Sequence, residues 1–239
     1  MPPVGFSTGA IANGDVNRAL SILQPVKTAT AVELSALRQE ELPKLVSILD
    51  ELRVEERYDY ISVHIPSRFD VGAERQIVSA LEKHIAPRGW PMIVHPNVIR
   101  EPGPWRNFGS LICVENMDIR KRGAGQTADE LRKWFDWLPE ARFCFDIGHA
   151  HQVDTSLLEA WRLVKAYGDR LQQIHLSHVN FESGHERISL SVWEAFKSLY
   201  PAILELRRDV PIILESTCTT PDAVRREVDF VDRELRAAA

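Results

Sequence analysis

The sequence is poor in cysteine, in long apolar runs and in excess positive charge, and each shortage excludes something. Its three cysteines, Cys113, Cys144 and Cys218, are an odd number without metal-binding pair spacing, so neither a disulfide framework nor a cysteine-based zinc site is expected. Two of them fall inside apolar runs and read as reduced core thiols. No stretch approaches the roughly 20 apolar residues needed to span a bilayer. Lys and Arg number 29 against 34 Asp and Glu, a net charge of -5, which argues against chain-wide attraction to nucleic acid or anionic membrane while leaving a local basic patch possible. The N-terminal MPPVGFSTGA has neither the charged and apolar regions of an export signal nor an Arg-rich amphipathic stretch, so the cytoplasm is the expected location.

What remains is a chain of 239 residues, 44% hydrophobic and 26% charged, the composition of a folded globular protein. The length suits one (β/α)8 barrel or two smaller domains. Eight short apolar runs decide between them: Val4–Ser7, Ala31–Leu34, Tyr60–His64, Met92–His95, Leu111–Glu115, Arg142–Asp146, Gln173–Ser177 and Ile212–Glu215. They recur about every 30 residues, the length of a βα unit. Amphipathic segments fill the gaps at Asp15–Leu23, Glu40–Leu52, Glu74–Ile85, Thr127–Leu138, Ser156–Tyr167 and Val192–Leu199, and a last helix is predicted from Thr220-Pro221-Asp222 to about Arg236. After the fourth strand, Glu101-Pro-Gly-Pro-Trp resists a long helix. With no break in composition, the expectation is a single α/β domain over residues 1–239, a (β/α)8 TIM barrel.

The strand ends are where chemistry collects. Strands three to eight end in His64, His95, Glu115, Asp146, His175 and Glu215, each after an apolar run. In such a barrel all C-terminal strand ends converge on one mouth, where clustered carboxylates repel unless a divalent cation joins them. Mixed imidazole and carboxylate ligands suit zinc, manganese, iron or cobalt better than calcium. Seven of the eight histidines, His64, His95, His149, His151, His175, His178 and His185, lie at or just after strands; His84 falls near a helix C-terminus, where it complements the dipole. His151 and His178 are expected behind the ligands or facing substrate, and Arg38, Arg68 and Arg106 are basic residues able to meet a phosphate.

The ordered set Val-His64, Val-His95-Pro, Glu115-Asn116-Met, Asp146-Ile-Gly-His149, His175-Leu-Ser and Leu-Glu215-Ser resembles the xylose-isomerase-like barrel superfamily, which holds sugar isomerases and epimerases together with endonuclease IV. The resemblance covers the whole chain. It implies that Glu115, Asp146, His175 and Glu215 bind a divalent ion, zinc or manganese, that Glu115 and Glu215 exchange a proton on carbon, and that His149 faces substrate. The endonuclease pattern adds His64 and His95 around a second ion bridged by Glu115, and a third ion at His149 and His185, where its Asp-x-His is here Ser183-Gly184-His185. One to three ions follow. Tagatose-epimerase-like enzymes place an Arg where this chain has Phe181.

The leading expectation is therefore an isomerase or epimerase of a sugar, sugar phosphate or similar polyhydroxylated small molecule, acting through a metal-stabilised enediolate, with Arg68, Arg106, His151 and His178 around the substrate. The alternative is a multinuclear phosphoesterase of the endonuclease IV kind, the one reading in which nucleic acid is a partner. A third is a barrel that binds a small ligand without catalysis. No membrane association is expected, and the exterior helices allow a homo-oligomer.

Overall fold

The computed structural model describes residues 1–238. Ten strands are present: β1 Val4–Ser7, β2 Ala31–Ser35, β3 Tyr60–His64, β4 Met92–Val94, β5 Ile112–Glu115, β6 Arg142–Asp146, β7 Leu171–Leu176, β8 His178–Val179, β9 His185–Glu186 and β10 Ile212–Leu214. The ten α-helices are α1 Thr8–Ala12, α2 Val16–Leu23, α3 Glu41–Leu52, α4 Glu74–His84, α5 Pro102–Trp105, α6 Ala128–Trp137, α7 Ile147–Val153, α8 Leu158–Tyr167, α9 Leu190–Leu206 and α10 Pro221–Ala238. Eight strands close into a parallel barrel in the order β1-β10-β7-β6-β5-β4-β3-β2, so the expected (β/α)8 architecture is the one observed, with β10 as its last strand.

Sequence chemistry explains where the helices start. Asp15, Thr127 and Ser189 each accept a hydrogen bond from a backbone N–H in the first turn of α2, α6 and α9, and Thr220 does the same for α10 ahead of Pro221. The proline-broken segment after β4 forms only the one-turn α5 and a 3-10 stretch, as its composition demands. Helix α9 runs beyond the expected Leu199 to Leu206 with Pro201 inside it. Trp193, Phe196, Tyr200 and Ile203 are buried on both sides of that proline, and their packing offsets the missing hydrogen bond. The antiparallel β8–β9 pair was not anticipated, because strands of two residues have no readable period. Among the described residues no helix is long and apolar enough to cross a membrane.

Alternation along the strands divides the barrel into two layers. Val32, Leu34, Val63, Val94, Val114, Phe145, Leu176 and Leu214 face outward and join the helices in the main core. The register sets Ser35 beside His64, Glu115 beside Cys144 and Asp146 beside His175 on the inner face. Deeper inside, Ile93, Cys113 and Cys144 form a separate small apolar cluster, as expected for core thiols. Two glycines permit close approach. A Cβ on Gly5 would stand 1.8 Å from the Ala31 carbonyl oxygen where β1 meets β2, and one on Gly148 would stand 2.5 Å from the Ser177 carbonyl oxygen where α7 lies against the end of β7.

Candidate metal centre

The inner-face polar residues meet at the C-terminal mouth, and Glu115 lies at their centre. Its Oε2 is 3.4 Å from His64 Nε2 and 3.2 Å from His95 Nε2, while its Oε1 is 3.4 Å from both His149 Nδ1 and His175 Nδ1. Glu215 Oε2 also stands 3.4 Å from His175 Nδ1. Asp146 ends β6 and begins α7 without a loop. Its Oδ1 caps the helix by accepting from the His149 N–H at 2.7 Å, which leaves Oδ2 for the mouth.

These contacts fit shared cations better than hydrogen bonds. Glu115 Oε2 and Asp146 Oδ2 are fully buried without a hydrogen-bond partner among the described residues, a costly state for a carboxylate oxygen. Two ligands bonded to one zinc at tetrahedral angles stand about 3.3 Å apart, close to the separations found here. Three ligand groups result: His64, His95 and Glu115; Glu115, Asp146, His175 and Glu215; and Asp146, His149 and His185.

The outer nitrogens of His64, His149 and His175 favour ligation. His64 Nδ1 donates to the Ile65 carbonyl and His149 Nδ1 to the Asn116 carbonyl, both at 2.9 Å, leaving each Nε2 lone pair free. His175 Nε2 donates to Glu33 Oε2 at 3.0 Å, so its Nδ1 faces Glu115 and Glu215. A cavity of about 500 Å³ opens above, lined by His64, His95, Glu115, His149, His185 and Glu215 together with Arg68, Asp118, Arg120 and Lys121.

Comparison with known proteins agrees with this architecture. Residues 105–238 match the xylose isomerase-like TIM barrel family. The chain belongs to that family. Solved structures similar to it include a D-tagatose 3-epimerase-like protein, 18% identical with TM-score 0.68, covering 98% of this chain and 97% of that one. A family 2 AP endonuclease from Brucella melitensis is 11% identical with TM-score 0.64, covering 93% and 96%. The IolI protein with a bound zinc atom is 12% identical with TM-score 0.64, covering 97% and 95%. At such identities the likeness is one of fold. No curated protein sequence matches the chain.

In this xylose isomerase-like barrel the structure brings Glu115, Asp146, His175, Glu215, His64, His95, His149 and His185 together, but not every residue expected at the substrate. Arg68 lines the cavity. Arg106 does not: it precedes β5, at the opposite end of the barrel, and its Nε donates to the Trp137 carbonyl at 2.7 Å. His151 and His178 also lie outside the cavity lining, with His178 Nδ1 3.2 Å from Ser189 Oγ. Arg38 is turned to Glu41 and Asn13. Ser183, where the endonuclease pattern has Asp, donates to Asp118 Oδ1 at 2.7 Å.

The sequence reading missed Glu33, Asp118 and Lys121. Glu33 is buried in the barrel below the mouth, where it also accepts from Gln173 Nε2 at 2.8 Å. Its signal was present: it is a lone acid inside the apolar run Ala31-Val-Glu-Leu34. The electrostatics show how crowded the centre is. Burial, offset in part by His175 and reinforced by Glu115 and Asp146, pushes Glu215 up to about 8. Burial also raises Asp146, against the pull of His149. Burial lowers His95 to about 3, helped by Lys121, and lowers His185 to about 3, helped by His149. A divalent cation favours the ionised carboxylates and neutral imidazoles that this environment otherwise sets against each other.

Proposed function

We propose that the chain is a multinuclear metal-dependent hydrolase acting on a phosphoester of a small molecule, a reading supported above all by the two imidazoles of His64 and His95 facing one unpartnered oxygen of Glu115. A single-ion centre uses only Glu115, Asp146, His175 and Glu215 and leaves His64 and His95 unexplained. A bridging Glu115, with one oxygen toward His64 and His95 and the other toward His175, accounts for all of them. This reading puts the hydrolase ahead of the isomerase, the reverse of the order drawn from the sequence.

In this reading His64, His95 and Glu115 would hold one ion and Glu115, Asp146, His175 and Glu215 a second, with Asp146, His149 and His185 a candidate third group. When bound, paired ions supply Lewis acidity at the phosphoryl oxygens and make water nucleophilic near neutral pH. The protein's part is to hold the ligands in the correct tautomers through Ile65, Asn116 and Glu33 and to place substrate in the cavity. A volume of about 500 Å³ suits a small molecule, and a net charge of -5 does not favour duplex binding.

A second reading, isomerisation or epimerisation, is favoured by a specific observation: Glu115 Oε1 and Glu215 Oε2 both stand 3.4 Å from His175 Nδ1, so two carboxylates flank one ion position, with His149 beside it. One set of measurements separates the two. The hydrolase releases phosphate from small phosphoesters, carries two or three ions, and loses an ion together with turnover when His64 and His95 are both replaced by Ala. A protein that carries one ion, releases no phosphate and places solvent deuterium on a carbon next to a carbonyl is an isomerase, and the hydrolase reading is then wrong.

A further inference from the structure

The cations around the mouth are not matched one for one by carboxylates. Arg120 is matched: its Nε donates to Asp118 Oδ1 at 3.0 Å. Among the described residues, the Lys121 ammonium has no carboxylate oxygen within 4.0 Å, and it donates to a neutral acceptor, His95 Nδ1, at 2.6 Å. The exposed Arg68 guanidinium has neither an ion pair nor a side-chain hydrogen bond among those residues. Both side chains line the cavity beside His64 and His95. Two cations on one cavity wall, neither with a carboxylate oxygen within 4.0 Å among the described residues, leave room for a bound anion to pair with them.

The hydrogen on His95 sharpens the case. A neutral imidazole has one ring N–H, so ligation through Nε2 puts the hydrogen on Nδ1. His64 and His149 each have a backbone carbonyl there to receive it. His95 instead faces the Lys121 ammonium, donor against donor, once Nε2 serves the centre. Lys121 then needs another acceptor.

We propose that Lys121 and Arg68 together form a receptor for an anionic group of the substrate, phosphate or carboxylate, on the His64–His95 side of the mouth. The proposal rests on the metal-dependent reading above and names its substrate class: a small anion, not a neutral sugar. The Arg68 fork can take two oxygens of such a group while Lys121 takes the third side as a point charge.

The test is calorimetric titration of inorganic phosphate and, separately, of glycerate into the protein as purified, at low salt, with the ion content of each sample measured; glycerol is the neutral control. Replacing Arg68→Gln or Lys121→Gln should weaken binding of one or both anions about tenfold, the loss of about 1.4 kcal/mol. Arg68→Lys should recover part of that loss, and Arg68→Gln should leave the ion content unchanged. Whichever anion loses more is the group the receptor takes. Equal affinities in wild type and variants, no binding of either anion to wild type, or glycerol binding as tight as the anions would overturn the proposal. An exposed Arg68 ensures a folded variant even if Lys121→Gln disturbs the mouth. Failure of the metal reading appears separately, as absent ions.

Discussion

A neutral imidazole ligates only through the nitrogen without hydrogen, so the group beside its other nitrogen decides whether a histidine can be a ligand. For His175 that group is Glu33, itself held by Gln173, which accepts from Tyr60 Oη at 2.7 Å. Glu33→Ala removes the acceptor and frees the ring to turn or change tautomer. The expected result is a loss of roughly 10–100-fold in metal affinity, read by competition with a chromophoric chelator, with the fold retained by circular dichroism. Unchanged affinity would remove Glu33 from the centre. Glu115→Gln goes further, because the amide keeps the shape but cannot bridge cations: turnover should disappear and ion content fall, while thermal stability changes far less. The strand-end residues of the candidate centre were legible because each closes an apolar run, which isolates it against an apolar background. Glu33 left a related signal, a lone acid in an apolar run, but it was passed over because it lies mid-strand in a run taken for uniform wall. Arg106 was misplaced for another reason: composition does not reveal which end of the barrel a connecting segment reaches.

Among the elements, the β8–β9 pair and its turn form the part of the mouth that the sequence least foretold. Asp118 fastens it from the far side, accepting from Ser183 Oγ at 2.7 Å and from the Arg120 backbone N–H and Nε at 3.0 Å. Burial alone would raise the Asp118 carboxyl, but the hydrogen bonds from Ser183 and Arg120 outweigh it and hold the group well below the usual range. A depressed carboxyl stabilises the tether at any pH above its ordinary value, and that contribution is lost as pH falls through the depressed folded value. Amide exchange across residues 178–186, corrected for the intrinsic rate, should therefore be constant from neutral pH down to the ordinary aspartate range and then rise progressively as pH falls from there through the depressed folded value. Asp118→Ala should raise it roughly 10- to 150-fold at neutral pH, in keeping with roughly 1.5–3 kcal/mol for a hydrogen bond to a charged group. A protection loss beginning near pH 6 would show that something other than Asp118 fastens the turn. By contrast, helix starts such as Asp15, Thr127 and Thr220 were readable, since a cap acts through neighbours three residues away.

For the whole molecule, strand spacing alone revealed a closed barrel, because parallel strands buried on both faces leave an unbroken apolar record every βα unit. What spacing could not convey is that the barrel's inner layer is polar near the mouth, with Glu33, Glu115, Asp146 and Glu215 all buried. Mutual repulsion of these carboxylates opposes folding unless cations or protonated imidazoles compensate, so the metal-dependent reading predicts that bound ions stabilise the entire barrel. Ions that bind the native centre but not the unfolded chain add about 2.7 kcal/mol at a hundredfold excess over Kd. For a chain of this size, 1 kcal/mol moves Tm by about 2–4 °C. Removing metal with a chelator should thus lower Tm by about 5–10 °C, and stoichiometric zinc or manganese should restore it. If His64 and His95 serve an ion of their own, replacing both by Ala should shrink this chelator-dependent shift without abolishing it, because Glu115, Asp146, His175 and Glu215 remain. A shift of the same size in that double variant would mean the two histidines bind no ion, and a chelator-insensitive Tm in the wild type would mean the barrel is not linked to metal at all.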